Sequence, residues 1–336
     1  MIKLINTPAI LSAASVAGKF EHEGALGSYF DMHDISDRFG QDTWEKSESE
    51  MQRLAMNLAL AKIKLTDKNL GCIFAGDLLN QCVSSAYGLL EFDTPMFGLY
   101  GACSTAAEGM ILSAVMVNSG VFNYAAAVTS SHYCAAERQF RYPLEYGGQR
   151  PPTAQWTATG SGAFIIGNES GDDGIFITEA LPGRSIDKGI NDAANMGAAM
   201  APAAVDTLTR YFKESGNPPD MFDLIITGDL GAEGYAVTLE YMKREGYDIA
   251  NNYTDCGLLL YDRNKHDVHA GASGCGCSAI VLAGFLIDQL KSGKLNDILF
   301  IGTGALMSPQ SLQQGLNIPG IAHLVRIRNT RGNKII

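Results

Sequence analysis

Two hydrophobic periods alternate along the chain. Short runs enriched in apolar and β-branched residues predict strands at 9–16, 70–75, 96–100, 124–129 and 163–167. Between them the period lengthens: Thr43 reads as an N-cap, and Met51, Leu54, Ala55, Leu58 and Ala61 then fall on one helical face. A second series follows, with strands at 174–180, 222–227 and 297–302 and helices near 201–213, 237–245 and 277–290. Strands separated by helices need crossover connections, so each half is expected to pair in parallel within an α/β fold.

The series is also a repeat. The string IFAGDLLNQ at 73–81 is echoed by IITGDLGAE at 225–233, which sets Asp77 against Asp229. The stretch from Gly101 to Ser131 is echoed by the stretch ending at Gly304, which sets Cys103 against Cys277 and Thr129 against Thr303. Two echoes in the same order predict a duplicated fold with halves 1–170 and 171–336. The second half carries an insertion between Asp229 and Cys277 that holds Cys256, Asp262, Asp267 and His269.

Composition narrows the function. Lys and Arg number 25 against 36 Asp and Glu, a net charge of −11 that repels phosphate backbones, so nucleic acid is not an expected partner. Lys3 and Pro8 break the first apolar run, so no signal peptide is expected. The apolar stretch 278–290 is interrupted by Asp288 and Gln289 and falls short of the ~20 residues of a membrane span. Membrane association would then come through a partner. Seven scattered cysteines suit a reducing interior. Many of the 37 glycines fall at strand-to-helix turns: Gly76, Gly98, Gly101, Gly228, Gly271, Gly274, Gly276, Gly302 and Gly304. They are expected to line a central cleft and the seam between the halves, where backbones approach closely.

Candidate chemistry gathers at those turns. Cys103 sits between a short strand and a helix that ends at Gly120, and a helix N-terminus stabilises thiolate and oxyanion. It reads as a nucleophile or an anion site, or else as a small buried hydrophobe. His269 opens the loop before the repeat-related helix, and two-fold packing of the halves would bring it to Cys103 as a base. A loop histidine in a structural hydrogen bond is the alternative. His132, at the end of the predicted strand 124–129, is a second candidate. Arg138, Arg141 and Arg150, among Phe140, Tyr142, Tyr146 and Trp156, suit a planar anion, though a solvated loop or a subunit interface explains the same residues. Asp77, Asn80 and Gln81 can supply polar contacts or simply form a turn. Cys275 and Cys277 lack the second pair a zinc site needs, and no nucleotide-binding glycine loop is present.

These strings resemble the thiolase and ketoacyl synthase superfamily, and within it the stage V sporulation protein AD family, SpoVAD. The resemblance rests on AGDLLNQ at 75–81, GLYGACST at 98–105, SSHY at 130–133, AERQFRYP at 136–143 and QRPPTAQWT at 149–157. It continues through MAPAA at 200–204, TGDLG at 227–231, DVHAGASGCGCSA at 267–279 and IPGIAH at 318–323. It implies a thiolase-like αβαβα fold built from two duplicated halves. It also implies binding of dipicolinic acid, alone or as calcium dipicolinate, within the SpoVA machinery that moves dipicolinate into spores and out at germination. The implied pocket holds Asp77, Cys103, His132, Arg138, Arg141 and His269. A homodimer, other SpoVA membrane proteins as partners and a peripheral place at the spore inner membrane follow from the same resemblance, with no cofactor and no metal. Residues 300–306 contain no Cys, His or Asn, so the catalytic set of the enzymes looks incomplete. The alternative is an acyl-CoA or acyl-carrier enzyme with Cys103 as nucleophile and His269 as base.

Overall fold

The computed structural model describes residues 1–140, 150–168 and 171–331. Ten principal strands carry the fold. The first five are β1 (Ala9–Ala17), β2 (Cys72–Gly76), β3 (Met96–Gly98), β4 (Tyr124–Ser131) and β5 (Gly160–Gly167). Apart from the exposed edge strand β3 they are small or apolar and buried almost throughout, as strands covered on both faces must be. Their spatial order is β3-β2-β4-β5-β1. The second five are β6 (Asp173–Leu181), β7 (Leu224–Thr227), β8 (Tyr253–Asp255), β9 (Asp297–Ala305) and β10 (Gly320–Thr330), in the order β8-β7-β9-β10-β6. The order is the same in both.

Pairing is only partly parallel. β2 pairs in parallel with β3 and β4, and β7 with β8 and β9, as crossover helices require. The fourth and fifth strands of each half are antiparallel, as are the fifth and first. Between β9 and β10 the reason is visible: residues 306–319 turn back along the same edge instead of crossing the sheet. The two sets meet where Ala9 pairs with Phe176 and the Ile177 N–H donates to the Pro8 carbonyl.

Helices fill three layers. α1 (Trp44–Lys62), capped by the Thr43 hydroxyl, buries Met51, Ala55, Met56 and Ala59 on the outer face of the first sheet. α2 (Thr105–Asn118) is buried on nearly every side because it packs between β4 of the first half and β9 of the second. Beside it runs α6 (Cys275–Ile280), continued by a π-helical segment, Val281–Leu286, and α7 (Ile287–Lys291). α3 (Tyr133–Phe140) leaves β4 at the edge of this layer. α4 (Met196–Ser215) and α5 (Gly231–Arg244) cover the second sheet, with Met200, Ala203, Leu208 and Phe212 buried in a core of their own. The result is the expected αβαβα stack.

Glycine lets the central helices lie this close. A Cβ on Gly304 would stand 2.4 Å from the Gly101 carbonyl oxygen, and one on Gly162 would stand 2.7 Å from Ala279. The expectation holds in part: Gly274 and Gly276 meet Ser131 across the seam, and Gly302 and Gly304 meet Ser104 and Gly101. Gly76, Gly228 and Gly271 instead pack within their own half, Gly98 lies on the exposed β3, and Gly40, Gly120, Gly189, Gly216, Gly246, Gly293 and Gly315 occupy open outer turns. Gly304→Ala, read by urea unfolding, is expected to cost about 3 kcal/mol, because the obstructing atoms are backbone and cannot rotate away. No described helix is long and apolar enough to cross a membrane.

Candidate ligand-binding site

A cavity of about 1370 Å³ opens where the ends of β2 and β9 face the start of α2. Its polar wall includes Asp77, Cys103, Tyr133, Glu137, Arg150 and His269, and its far end is apolar, with Met196, Leu306 and Met307.

Cys103 sits in the 3-10 turn Ala102–Ser104 that leads into α2, and Ala102 before it holds the left-handed φ of 49°. The thiol is 6% exposed and hydrogen-bonds Asp229, which stands just past the end of β7. Asp229 is fully buried: its Oδ2 accepts from the Gly274 N–H at 2.8 Å and the Ser273 hydroxyl at 3.1 Å, and its Oδ1 from the Thr303 hydroxyl at 2.8 Å. Burial, with Asp229 and Cys275 beside it, pushes the Cys103 thiol well above the usual range. A helix start contributes up to about 2 kcal/mol in the other direction, less than the desolvation, so the group stays a thiol.

His269 does not pair with Cys103. Its Nδ1 lies 2.8 Å from the Pro151 carbonyl and its Nε2 lies 3.0 Å from Asp267 Oδ1. Asp267 also holds Arg150: Nη2 donates to its backbone carbonyl at 2.7 Å and pairs with Oδ2 at 3.0 Å. The Arg150 guanidinium lies over Trp156 at 4.9 Å, and Trp156 stacks on Tyr133 at 3.8 Å with planes 12° apart. Arg150 Nη1 is buried and has no partner among the described residues. A cation with a spare donor thus stands beside an aromatic platform.

The other expected residues divide. Asp77 lines the cavity, but its Oδ1 accepts from Leu79 N–H at 2.9 Å and its Oδ2 from the Ser85 N–H and hydroxyl at 2.8 and 2.7 Å. Burial raises its carboxyl, and its work is to shape the rim, where Gln81 and Cys82 are both left-handed. His132 lies outside the cavity lining. Its Nδ1 accepts from the Cys134 N–H at 3.2 Å, its Nε2 donates to the Asp37 carbonyl at 3.0 Å, Trp44 covers the ring, and burial lowers its pKa. Arg138 is half-exposed on α3, paired with Glu45, and also outside the lining. Arg141 lies outside the described residues. Cys275 and Cys277 are buried against the carbonyls of Ser130 and Gly228, and no group that would hold a metal ion occurs among the described residues.

Sequence reading did not place Asp229 in the site, and it named Arg150 among the arginines suited to a planar anion without including it in the implied pocket. Asp229 carried a signal, since it repeats Asp77, and Arg150 stands just ahead of the strand pair formed by Trp156–Thr157 and Ala272–Ser273.

Comparison with known proteins extends the assignment. The sequence model of stage V sporulation protein AD (SpoVAD) matches residues 1–328. Stage V sporulation protein AD of Bacillus subtilis (strain 168) is 44% identical over 321 residues, covering 96% of this chain and 94% of that protein. Among solved structures, a variant of Xanthomonas campestris OleA aligns with a TM-score of 0.60 at 15% identity, over 96% of this chain and 98% of that one. Another OleA variant, with bound lauric acid and lauroyl-CoA, gives 0.62 at 14% identity, over 96% and 99%. At such identities the OleA likeness speaks for the thiolase-like fold alone. The match along nearly the whole length, to the family and to its Bacillus member alike, means that the chain belongs to the stage V sporulation protein AD family.

Proposed function

We propose that this sporulation protein binds dipicolinic acid, alone or with calcium, and does not catalyse acyl transfer. The observation that carries the reading is Arg150, whose spare Nη1 donor stands over Trp156 in the wall of a large cavity while the Cys103 thiol is taken up by Asp229. A flat pyridine ring with two carboxylates matches that pairing of a guanidinium fork with an aromatic platform. In this reading the protein serves the SpoVA machinery at the spore inner membrane, held there by membrane partners. It acts as a homodimer through the exposed edge strand β3, where Met96 and Phe97 are exposed, with Tyr87, Leu90 and Tyr100 exposed on the segments that flank it in sequence.

Calorimetric titration with dipicolinate, with and without calcium, and with acetyl-CoA tests the reading. Heat with dipicolinate, retained in Cys103→Ala, supports it. Silence with dipicolinate together with acylation of Cys103 by acetyl-CoA establishes the enzyme instead. Thiol chemistry gives a second check: at pH 8 iodoacetamide should modify Cys103 at least about tenfold more slowly than a free cysteine, and Asp229→Asn should speed it. Fast alkylation of the parent protein would remove the argument against a nucleophile.

A further inference from the structure

Besides the Trp156–Thr157 strand pair, Arg150 and Pro151, one buried carboxyl ties the insertion that carries Asp267 and His269 to the first half. Glu21 is 1% exposed, and its Oε1 accepts from the Thr159 N–H at 3.0 Å and from the Tyr261 hydroxyl of the insertion. Thr159 in turn accepts from the N–H of Tyr133 in the cavity wall at 3.1 Å. Phe20, next to Glu21, touches Trp156 and Tyr261 at 5.1 Å and His266 at 5.0 Å between ring centres. Residues 20 and 21 therefore hold the insertion with one side and the Tyr133–Trp156 platform with the other.

The same carboxyl is poorly provided for as an anion. Its Oε2 is buried without a partner among the described residues. It lies beside Asp37: a Cβ on Gly18 would be 2.6 Å from Glu21 Oε2 and 2.5 Å from Asp37 Oδ1. The groups around it are Asp37, with His132 behind its carbonyl; Tyr261 and His266 from the insertion; and Cys277 of the central helix beyond Tyr261. The nearby cations are turned elsewhere, Lys19 to Glu23 and Arg38 over Trp44. Asp37 is itself only partly buried and its Oδ1 accepts from the Lys19 N–H at 2.7 Å, so the charge left without compensation is that of Glu21, which burial disfavours unless the carboxyl holds a proton.

We propose that Glu21 is a positioning residue of the ligand site: uncharged, it pins the Asp267–His269 insertion against the Trp156 wall, and ionised, it loosens that insertion and weakens ligand binding. The affinity clause rests on the dipicolinate reading; the pinning does not. Burial sets the range, pushing the Glu21 carboxyl up to about 7 despite the bonds from Tyr261 and Thr159.

The protein has two tryptophans, Trp44 and Trp156, so a Trp44→Phe background makes Trp156 the sole reporter of the wall. Without ligand, its emission should change between pH 5.5 and 8.5 with one midpoint near neutrality. Glu21→Gln should abolish that midpoint, whereas one arising from His266 or His269 would survive the change. Tyr261→Phe, which keeps the ring and removes a donor to the carboxylate, should move the midpoint upward, and it stands as the test if Glu21→Gln does not fold. A midpoint unchanged in these variants overturns the proposal. In the second arm, dipicolinate affinity should fall about tenfold from pH 6 to pH 8 in the parent and stay level in Glu21→Gln. A parent that binds equally at both values overturns the affinity clause. A parent that binds dipicolinate at neither value sinks the ligand reading, and the emission arm alone then decides the pin.

Discussion

Arg150→Ala should lower dipicolinate affinity by about 100-fold, while Arg138→Ala should leave it within about twofold. A hydrogen bond to a charged group contributes about 1.5–3 kcal/mol, and among the described residues Arg150 is the cavity guanidinium with a buried N–H that has no partner. Arg138 spends its charge on Glu45 at a half-exposed position. Arg150→Lys should not restore binding, because a single ammonium cannot pair with Asp267, lie over Trp156 and present a second donor at once. Titrations at fixed ionic strength decide the matter, and parent-like binding by Arg150→Ala would place the anion elsewhere.

Stability should fall by at least about 3 kcal/mol as pH rises from 5 to 8. Glu21 and Asp255 are the main sources. Burial raises both carboxyls to about 7, although Asp255 accepts from the Thr227 hydroxyl at 2.7 Å and the Leu230 N–H at 2.8 Å. Each group holds its proton more tightly folded than unfolded, so the folded state binds more protons in between. The stabilisation is complete below the unfolded values, near 4, and is lost as pH climbs through 7. Shifts of this size correspond to roughly 3–4 kcal/mol apiece. His323, lowered by burial to about 4, acts in the opposite sense up to about pH 6.5, where an unfolded histidine titrates. Glu48, Asp77 and Asp229, all raised by burial, add to the loss. Urea midpoints across this range should flatten in Asp255→Asn, and a parent that gains stability towards pH 8 would contradict the account.

What could be read from the chain alone followed from period and repetition. The expected strands and helices fall where the structure has them, since apolar continuity and turn residues are local properties. The pairing of Asp77 with Asp229 and of Cys103 with Cys277 placed both sets of residues at equivalent positions of the two halves. Local pattern misread direction across the sheet, since strands separated by helices predicted parallel pairing throughout each half. It missed the antiparallel fifth strands, because residues 306–319 resemble any other connection until their path is known. The histidines show the same limit: His132 and His269 both follow strand and turn signals, yet Trp44 and Asp37 seal one while Pro151 and Asp267 hold the other at the cavity. Cys103 was read by the favourable field of a helix start. Burial, and then Asp229 across the seam, 126 residues further along, reverses the sign.

The duplicated strand order has a consequence for counting. In the first half the turn before the central helix opens Cys103 to the cavity, whereas in the second half Cys277 is closed in at 0% exposure against the Gly228 carbonyl. The two equivalent strand ends thus serve the cavity differently, one by facing it and the other by holding Cys103 from behind through the buried Asp229. Occupancy should saturate at one class of site per chain, and any sigmoid response must arise between subunits, because the twin position that would couple to the first within the chain has been filled by packing.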